Sequence, residues 1–342
     1  MHMADALLSP VVGGAFWVIS GALIGYSAKK IAQEKDNSKT PLMGVMGAFI
    51  FAAQMINFSI PGTGSSGHLG GGLLLAILLG PYRAFITIAS VLTIQCLFFA
   101  DGGILALGCN IFNLGFFPAF IAYPFVYKVI IGIKQSKVAL ATASIMGAVI
   151  GLLLGAFTVV LQTNLSGISE LPFGPFILVM LPIHAAIGIV EGLVVLAVIT
   201  FVSRTEPALL ISDHAIKTPR LVIAVFAVST LIVGGIIAWF ASSNPDGLVW
   251  AISKITKTED FERIGTTVHN TFGVIQEKLA FLPNYSFKAT EIATSHNAHT
   301  VTSPVNIGTS VAGVVGSLLA LLMAFVIGFI LRAKGAKPQA GA

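Results

Sequence analysis

The sequence predicts an all-α protein that crosses a membrane many times. Of its 342 residues, 56% are hydrophobic and only 10% are Asp, Glu, Lys or Arg, whereas roughly 25% are charged in an ordinary soluble domain. The mean hydropathy is +0.92. Many apolar runs approach the roughly 20 residues that a helix needs to cross the hydrocarbon of a bilayer. These observations exclude a soluble enzyme, a coiled coil and a disordered scaffold.

We assign each apolar run to one membrane-spanning helix, which gives nine spans. The third run is short, and we expect it to be tilted, broken or re-entrant. Small residues recur at every fourth position of the ninth run, and such a stripe lets helix backbones approach closely, within this chain or against another membrane subunit. The spans lie at about 10–31, 42–58, 69–82, 84–100, 109–131, 138–162, 176–203, 220–242 and 307–332.

The distribution of Lys and Arg predicts how the spans are oriented. Fourteen of the 19 basic residues fall on one side when the loops are placed alternately, and the other five all lie in the loop 243–306. That loop exceeds the length over which charge controls orientation, and the short outer loops hold no Lys or Arg. We therefore expect the N-terminus outside and the C-terminus inside. The net charge of +5 is then a matter of topology, and we expect no nucleic-acid partner.

The spacing of the spans divides the chain into two blocks. Seven closely spaced spans over 1–203 predict one helical bundle, and the polar stretch 204–219 predicts a linker on the inner side. The second block, 220–342, holds two spans separated by the long external loop 243–306. No Gly-Lys dipeptide occurs, so the chain lacks a P-loop. If ATP drives its activity, hydrolysis must take place in another polypeptide.

The amino terminus offers nitrogen ligands for a metal. No cleavable signal peptide is visible, and a bulky His2 protects Met1 from trimming, so we expect a free Met-His start on the outer side. The Met1 amine, the His2 amide and the His2 imidazole can then form two fused chelate rings around one plane. Square-planar nitrogen sites suit Cu(II) or Ni(II). His68, in the Gly-rich turn Gly62–Gly72, lies on the same side and is the candidate for the fourth corner.

Other polar residues in or near the spans have alternative interpretations. One cluster flanks an outer turn and is expected either to orient the ligands through hydrogen bonds or to join helices: Gln95, Asp101, Asn110 and Asn113. His184 and Glu191 are seven residues apart on one helix face, which favours internal packing over a proton relay. His296 and His299 in the long loop are a weak candidate for metal uptake.

Three separated motifs resemble one known family. They are the start Met1–Pro10, the turn around His68 and the stretch Phe99–Asn113, and together they are similar to the substrate-binding membrane component of nickel and cobalt energy-coupling-factor transporters, the NikM/CbiM family. The segment Ser243–Trp250 resembles the start of the small accessory subunit of the same systems, the NikN/CbiN type, here fused to the first block.

The resemblance implies both a site and a set of partners. The ligands would be Met1, His2 and His68, the cargo Ni(II) or Co(II), and the location a prokaryotic plasma membrane. A transmembrane coupling subunit and cytoplasmic ATPases would supply the energy, so this chain itself would be no enzyme and would need no resident cofactor. The departure Met3-Ala4-Asp5-Ala6 from the start of many cobalt-type relatives favours nickel. The alternative is a stand-alone secondary metal transporter or channel that uses Glu191 and His184.

Overall fold

The computed structural model describes residues 1–34, 39–133, 136–211, 219–257, 266–288 and 306–335, and these ranges are mainly helical. Six helices are long and apolar enough to cross a membrane by length and composition. They are Pro10–Gln33, Pro81–Phe99, Leu107–Ile133, Lys137–Ser166, Phe173–Thr205 and Ile307–Leu331. Each of the nine predicted spans contains a helix, but the helices in the second and eighth spans are shorter apolar segments, Thr40–Gln54 and Arg220–Gly235.

Within the described ranges, the first block contains eight α-helices and one hairpin, and a ninth short helix lies in the linker. These helices are α1 (Pro10–Gln33), α2 (Thr40–Gln54), α3 (Gly72–Leu79), α4 (Pro81–Phe99), α5 (Leu107–Ile111), α6 (Lys128–Ile133), α7 (Lys137–Ser166), α8 (Phe173–Thr205) and, in the linker, α9 (Ala208–Ile211). A 3-10 turn, Asp5–Leu7, precedes α1. The π-helical stretch Phe112–Tyr127 joins α5 to α6. It contains Pro118 and Pro124, which lack the backbone donor of a regular helix.

The third predicted span is broken, as its short length indicated. It holds α3, then Gly80 and the first two residues of α4, and at 1.5 Å per residue the eight residues of α3 rise about 12 Å, well below the roughly 30 Å of a hydrocarbon core. Before it runs an antiparallel hairpin of β1 (Phe58–Ile60) and β2 (Ser65–Gly67). Gly71, with φ +77°, makes the turn into α3 in the left-handed region that favours glycine. This segment carries His68 directly after β2.

The second block packs directly on the first. It contains α10 (Arg220–Gly235), α11 (Gly247–Thr256), α12 (Thr267–Leu279) and α13 (Ile307–Gly335), with 3-10 turns at Ile237–Phe240 and Pro283–Tyr285. The small residues of the ninth span face the bundle: Ala312, Ala320 and Ala324 are fully buried. The external loop was expected to be a polar connection, whereas its described part forms α11 and α12.

Helices α2 and α13 approach each other closely where small residues of both helices meet. A Cβ atom added to Gly44 of α2 would lie 3.0 Å from the carbonyl oxygen of Leu321 in α13, and one added to Gly47 would lie 3.4 Å from that of Ala320. Such close approach favours tight van der Waals packing between helices in lipid. The stripe therefore serves packing within the chain, one of its two expected uses.

Candidate metal centre

The first residues of the chain are largely buried and are held by α5 and by the turn that precedes it. Asn110 binds Met3 twice, since its Oδ1 accepts from the Met3 amide at 2.8 Å and its Nδ2 donates to the Met3 carbonyl at 3.2 Å. Asp5 Oδ1 accepts from the Ala106 amide at 2.9 Å. Met1 and Met3 are buried, with 5% and 0% exposure. The amino terminus is thus fixed inside the fold.

His68 is positioned by the hairpin on one side and by α8 on the other. The Glu191 carboxylate accepts hydrogen bonds from the Gly70 amide at 2.8 Å and the Gly71 amide at 3.0 Å, which fixes the backbone just after His68. His68 Nδ1 lies 3.1 Å from the Leu69 carbonyl oxygen. Because a carbonyl only accepts, we assign the ring proton to Nδ1, which leaves the lone pair of Nε2 free to bind.

The three predicted ligand residues meet at one point. The Met1 amine lies 3.0 Å from His68 Nε2 and donates to Asp246 Oδ2 at 2.9 Å. The His2 ring stacks on the His68 ring, with centroids 5.0 Å apart and planes inclined by 7°. His2 Nδ1 is 3.0 Å from Asp101 Oδ1. The structure therefore brings His68 to Met1 and His2, from which it is more than sixty residues away in sequence.

The spacing of the amine and His68 fits adjacent corners of a square-planar site. Two nitrogens bound at about 2.0–2.1 Å to one metal, at right angles, lie about 2.8–3.0 Å apart. The amine and His68 Nε2 are 3.0 Å apart, a distance that serves a hydrogen bond in this state. The site is thus nearly preformed along this edge.

The second residue must reorient to complete such a site. Only Nδ1 of His2 can close a six-membered chelate ring with the backbone amide of the same residue. Here Nδ1 faces Asp101, while Nε2 is buried and has no hydrogen-bond partner in the described part of the chain. To bind a metal through this ring, His2 Nδ1 would therefore have to leave the Asp101 carboxylate and contact the ion instead.

The electrostatic environment keeps His68 neutral. Burial, followed by the positive charges of the amino terminus and His2, lowers the pKa of His68 to about 3. Burial alone would raise the pKa of Asp246, but the charged amine and the Val249 amide bring it down to about 2. Burial opposes ionisation of Asp101 as well, yet His2 and the Tyr285 hydroxyl hold its pKa well below the usual range. Two carboxylates and one neutral imidazole thus surround the amine and His2.

A small cavity adjoins the amine and His68. Its volume is about 10 Å³, roughly the space of one water, and His184 lines it as well. Across the described residues, no cluster of three or more His, Cys, Asp or Glu side chains has the geometry of a metal site. A metal centre at this point would therefore depend on the amine and the amide as donors.

The remaining predicted residues have different surroundings. Asp101 contacts His2, Asn110 clamps Met3, and Asn113 donates to Gln162 at 2.7 Å. Gln95 is buried, and its backbone carbonyl accepts from the Asp101 amide at 3.1 Å. Asp101 and Asn110 thus touch the amino-terminal segment through their side chains, and so does Asn113, whose Nδ2 lies 3.7 Å from Met3 Sδ. Gln95 supports the turn that carries Asp101 through its backbone carbonyl.

The two other histidine predictions have separate outcomes. His184 is buried in α8; its Nδ1 lies 2.8 Å from the Met180 carbonyl oxygen, and its Nε2 has no partner in the described ranges. The Nδ1 contact of His184 is with its own helix, whereas Glu191 accepts from the Gly70 and Gly71 amides, so the two residues have different partners. His296 and His299 lie outside the described residues.

Sequence reasoning missed four residues of the second block that reach the site. Tyr285 donates to Asp101 Oδ2 at 2.6 Å, and Gln276 donates to the Gly102 carbonyl at 2.7 Å. His269 Nε2 lies 2.9 Å from the Leu8 carbonyl oxygen. The fourth is Asp246, which binds the amine and belongs to the quoted segment Ser243–Trp250. The segment Ser243–Trp250 was the one sequence signal that included any of these four residues, and it indicated a family resemblance rather than a contact with the Met1 amine.

Comparison with known proteins gives a consistent result. A family model described as the cobalt uptake substrate-specific transmembrane region, CbiM, matches residues 2–209, and a PDGLE domain model matches residues 220–333. The chain is 32% identical to a putative fused nickel transport protein of Archaeoglobus fulgidus over 96% of this chain and 98% of that protein. It is 25% identical to a cobalt transport protein of Geobacter sulfurreducens over 61% of each chain.

A solved structure supports the same relationship. The crystal structure of a truncated transition metal transporter superposes with a TM-score of 0.53 and 29% sequence identity, covering 60% of this chain and 99% of that one. The similarity thus extends to the three-dimensional arrangement.

Proposed function

Because this chain belongs to the CbiM family of metal-uptake membrane proteins and carries a PDGLE domain in the same polypeptide, we propose that it captures extracellular Ni(II), or Co(II), with high affinity. It is a nickel or cobalt transport component, and its relatives are metal transport proteins rather than enzymes. In this proposal it is the substrate-specific component of an energy-coupling-factor transporter.

The observation that carries the proposal is the meeting of the amine, His2 and His68. The 3.0 Å separation of the Met1 amine from His68 Nε2 lies at the upper end of the range of about 2.8–3.0 Å for one edge of a square-planar nitrogen site. The His2 amide and imidazole would complete the set, which requires a free amine on Met1. Four nitrogen donors in a plane favour Ni(II) over Co(II), which prefers higher coordination numbers, and no thiolate or carboxylate is needed as a direct ligand.

The topology that the proposal requires follows from the basic residues. Nine spans in a prokaryotic plasma membrane, with the N-terminus outside and the C-terminus inside, place this site at the outer face. The first block, 1–203, would bind the metal, 204–219 would be a cytoplasmic linker, and 220–342 would be the accessory part. Without a P-loop of its own, the chain would depend on a transmembrane coupling subunit and on cytoplasmic ATPase subunits.

A secondary transporter that couples metal to protons through Glu191 is less well supported. Both carboxylate oxygens of Glu191 already accept hydrogen bonds from the backbone amides of Gly70 and Gly71. A carboxylate held in this way fixes the loop of His68, and its release during a transport cycle would disorder that loop. The contact therefore favours a binding component over a proton-coupled carrier.

The proposal is tested by metal competition on the purified full chain with an unmodified Met1. Mass spectrometry first establishes that the amine is free. Equilibrium competition among Ni(II), Co(II), Cu(II) and Zn(II) against a coloured chelator then gives the order of affinities. We expect one Ni(II) per chain, bound more tightly than Zn(II), with the absorption spectrum of a square-planar site. An octahedral spectrum, or no tight binding of Ni(II) or Co(II), would refute the proposal.

A further inference from the structure

The two carboxylate oxygens of Asp246 have different partners, one in its own helix and the other at the amino terminus. It is the N-cap of α11, where Oδ1 accepts from the Val249 amide at 2.8 Å. Its other oxygen, Oδ2, accepts from the Met1 amine at 2.9 Å. A side chain held at one oxygen by its helix presents the other in a fixed direction. The accessory part therefore offers an oriented negative charge to the predicted ligand amine.

The backbone beside Asp246 is joined to the strand that leads to His68. The Ser66 amide donates to the Pro245 carbonyl at 2.8 Å, and Ser66 Oγ donates to the Asn244 carbonyl at 2.7 Å. Ser66 and Asp246 form a parallel β-bridge, and Ser66 is two residues before His68. The two partners of the amine, one from each block, are thus mounted on a single hydrogen-bonded frame.

The packing on the other side of this frame leaves little freedom. A Cβ atom added to Gly247 would lie 3.1 Å from His184 Cε1 and 3.1 Å from Ile187 Cδ1, so α8 contacts the start of α11 closely. Trp250 Nε1 donates to the Thr63 carbonyl at 3.0 Å and adds a second attachment to the hairpin turn. Asp246 is accordingly fixed relative to His68 from three directions.

The charge of a loaded site explains why a carboxylate is useful here. A divalent ion bound by two imidazoles, an amine and one deprotonated amide has a net charge of +1. A buried charge without a partner is strongly unfavourable. A metal-bound amine keeps two N–H groups, so one can still donate to Asp246 Oδ2 after loading. The carboxylate then neutralises the site without contacting the metal.

We propose that Asp246 is a positioning residue of the metal site, supplied by the accessory part, which holds the Met1 amine at the corner next to His68 and neutralises the loaded site. The inference rests on the proposed function, since it assigns a role at the same centre. It gives the second block a defined chemical task, which is to complete the surroundings of the amine.

The test separates charge from helix capping. Asn and Ser cap a helix about as well as Asp, whereas Glu is a poor cap that keeps the charge. If Asp246 acts through its charge, Asp246→Asn and Asp246→Ser weaken Ni(II) binding about 10- to 100-fold, the range for residues that orient metal ligands. Asp246→Glu then loses less. A capping role predicts the opposite order, with Asn and Ser near wild type and Glu the weakest.

Two further measurements keep the outcomes distinct. Lys254→Gln removes an exposed charge of α11 and leaves the attachments to the hairpin in place, and we expect it to bind Ni(II) within about threefold of wild type. The absorption spectrum of bound Ni(II) should be the same in all variants, because the four nitrogens are unchanged. If wild type binds Ni(II) and the Asn and Ser variants bind equally well, this inference is wrong while the proposed function stands. If wild type binds no Ni(II), the proposed function itself fails.

Discussion

A peptide extension on Met1 should abolish nickel binding, and removing the extension should restore it. The amine makes two hydrogen bonds, to His68 at 3.0 Å and to Asp246 at 2.9 Å. Bonds that involve a charged group contribute about 1.5–3 kcal/mol each. Loss of both therefore costs about 3–6 kcal/mol in positioning the segment, or about 150- to 25,000-fold in a binding constant. The adjoining cavity of about 10 Å³ has no room for another residue.

The assay compares one preparation before and after cleavage. The chain is made with an extension that contains no histidine and ends in a protease site whose cleavage leaves Met1 as the first residue. Ni(II) binding is measured by competition with a chelator in both forms, and a C-terminal tag without histidine serves for purification. Acetylation of the cleaved amine provides a second way to block it. If the extended protein binds Ni(II) within tenfold of the cleaved protein, the amine is no ligand.

Three other predictions concern the same centre. His68→Ala should weaken Ni(II) binding at least 100-fold. His184→Ala, which alters a second buried histidine of the same cavity, should keep the Ni(II) affinity within about threefold of wild type. Equal losses in the two variants would contradict the assignment of His68 as a ligand. Acidification from pH 7.5 to 5 should weaken Ni(II) binding at least about tenfold, because the amine and amide nitrogens must lose protons to bind a metal. His68, with a pKa of about 3, stays neutral at both pH values. The affinity is measured by calorimetry at each pH, and an affinity that does not change with pH would argue against these donors. Asn110→Leu leaves the amide and carbonyl of Met3 without partners and should destabilise the protein by about 1–3 kcal/mol. Thermal unfolding should show this loss, with the exposed substitution Asn164→Leu as the control. An unchanged unfolding midpoint would refute the role of Asn110 in holding Met3.

The sequence predicts those parts of the molecule that depend on local composition. Apolar length alone located a helix in each of the nine predicted spans, because burial in lipid requires long apolar helices with internal hydrogen bonds. The chemistry of an amine followed by His2 is also local, and it pointed to nitrogen coordination. His68 required a further step, since only its placement on the outer side connected it with Met1.

Contacts between distant segments could not be predicted in this way. Asp246 is 245 residues from Met1, and no periodicity or spacing relates the two. Tyr285 and Gln276 lie in a stretch that reads as a polar loop, and their partners are a carboxylate and a carbonyl in the turn after α4. For Asp101 the sequence predicts either a role in orienting ligands or a role in joining helices, and its contact with His2 Nδ1 depends on a ring orientation that only the fold determines.

The ion pair between Met1 and Asp246 also sets an order for biosynthesis. The amino terminus is the first part of the chain to be made, but its carboxylate partner follows 245 residues later, after the first-block helices have left the ribosome. Contacts of such large sequence separation form late in folding. The Met1 amine can therefore form this ion pair only after the start of α11 has been translated, whereas Met3 and Asp5 find their partners within the first block.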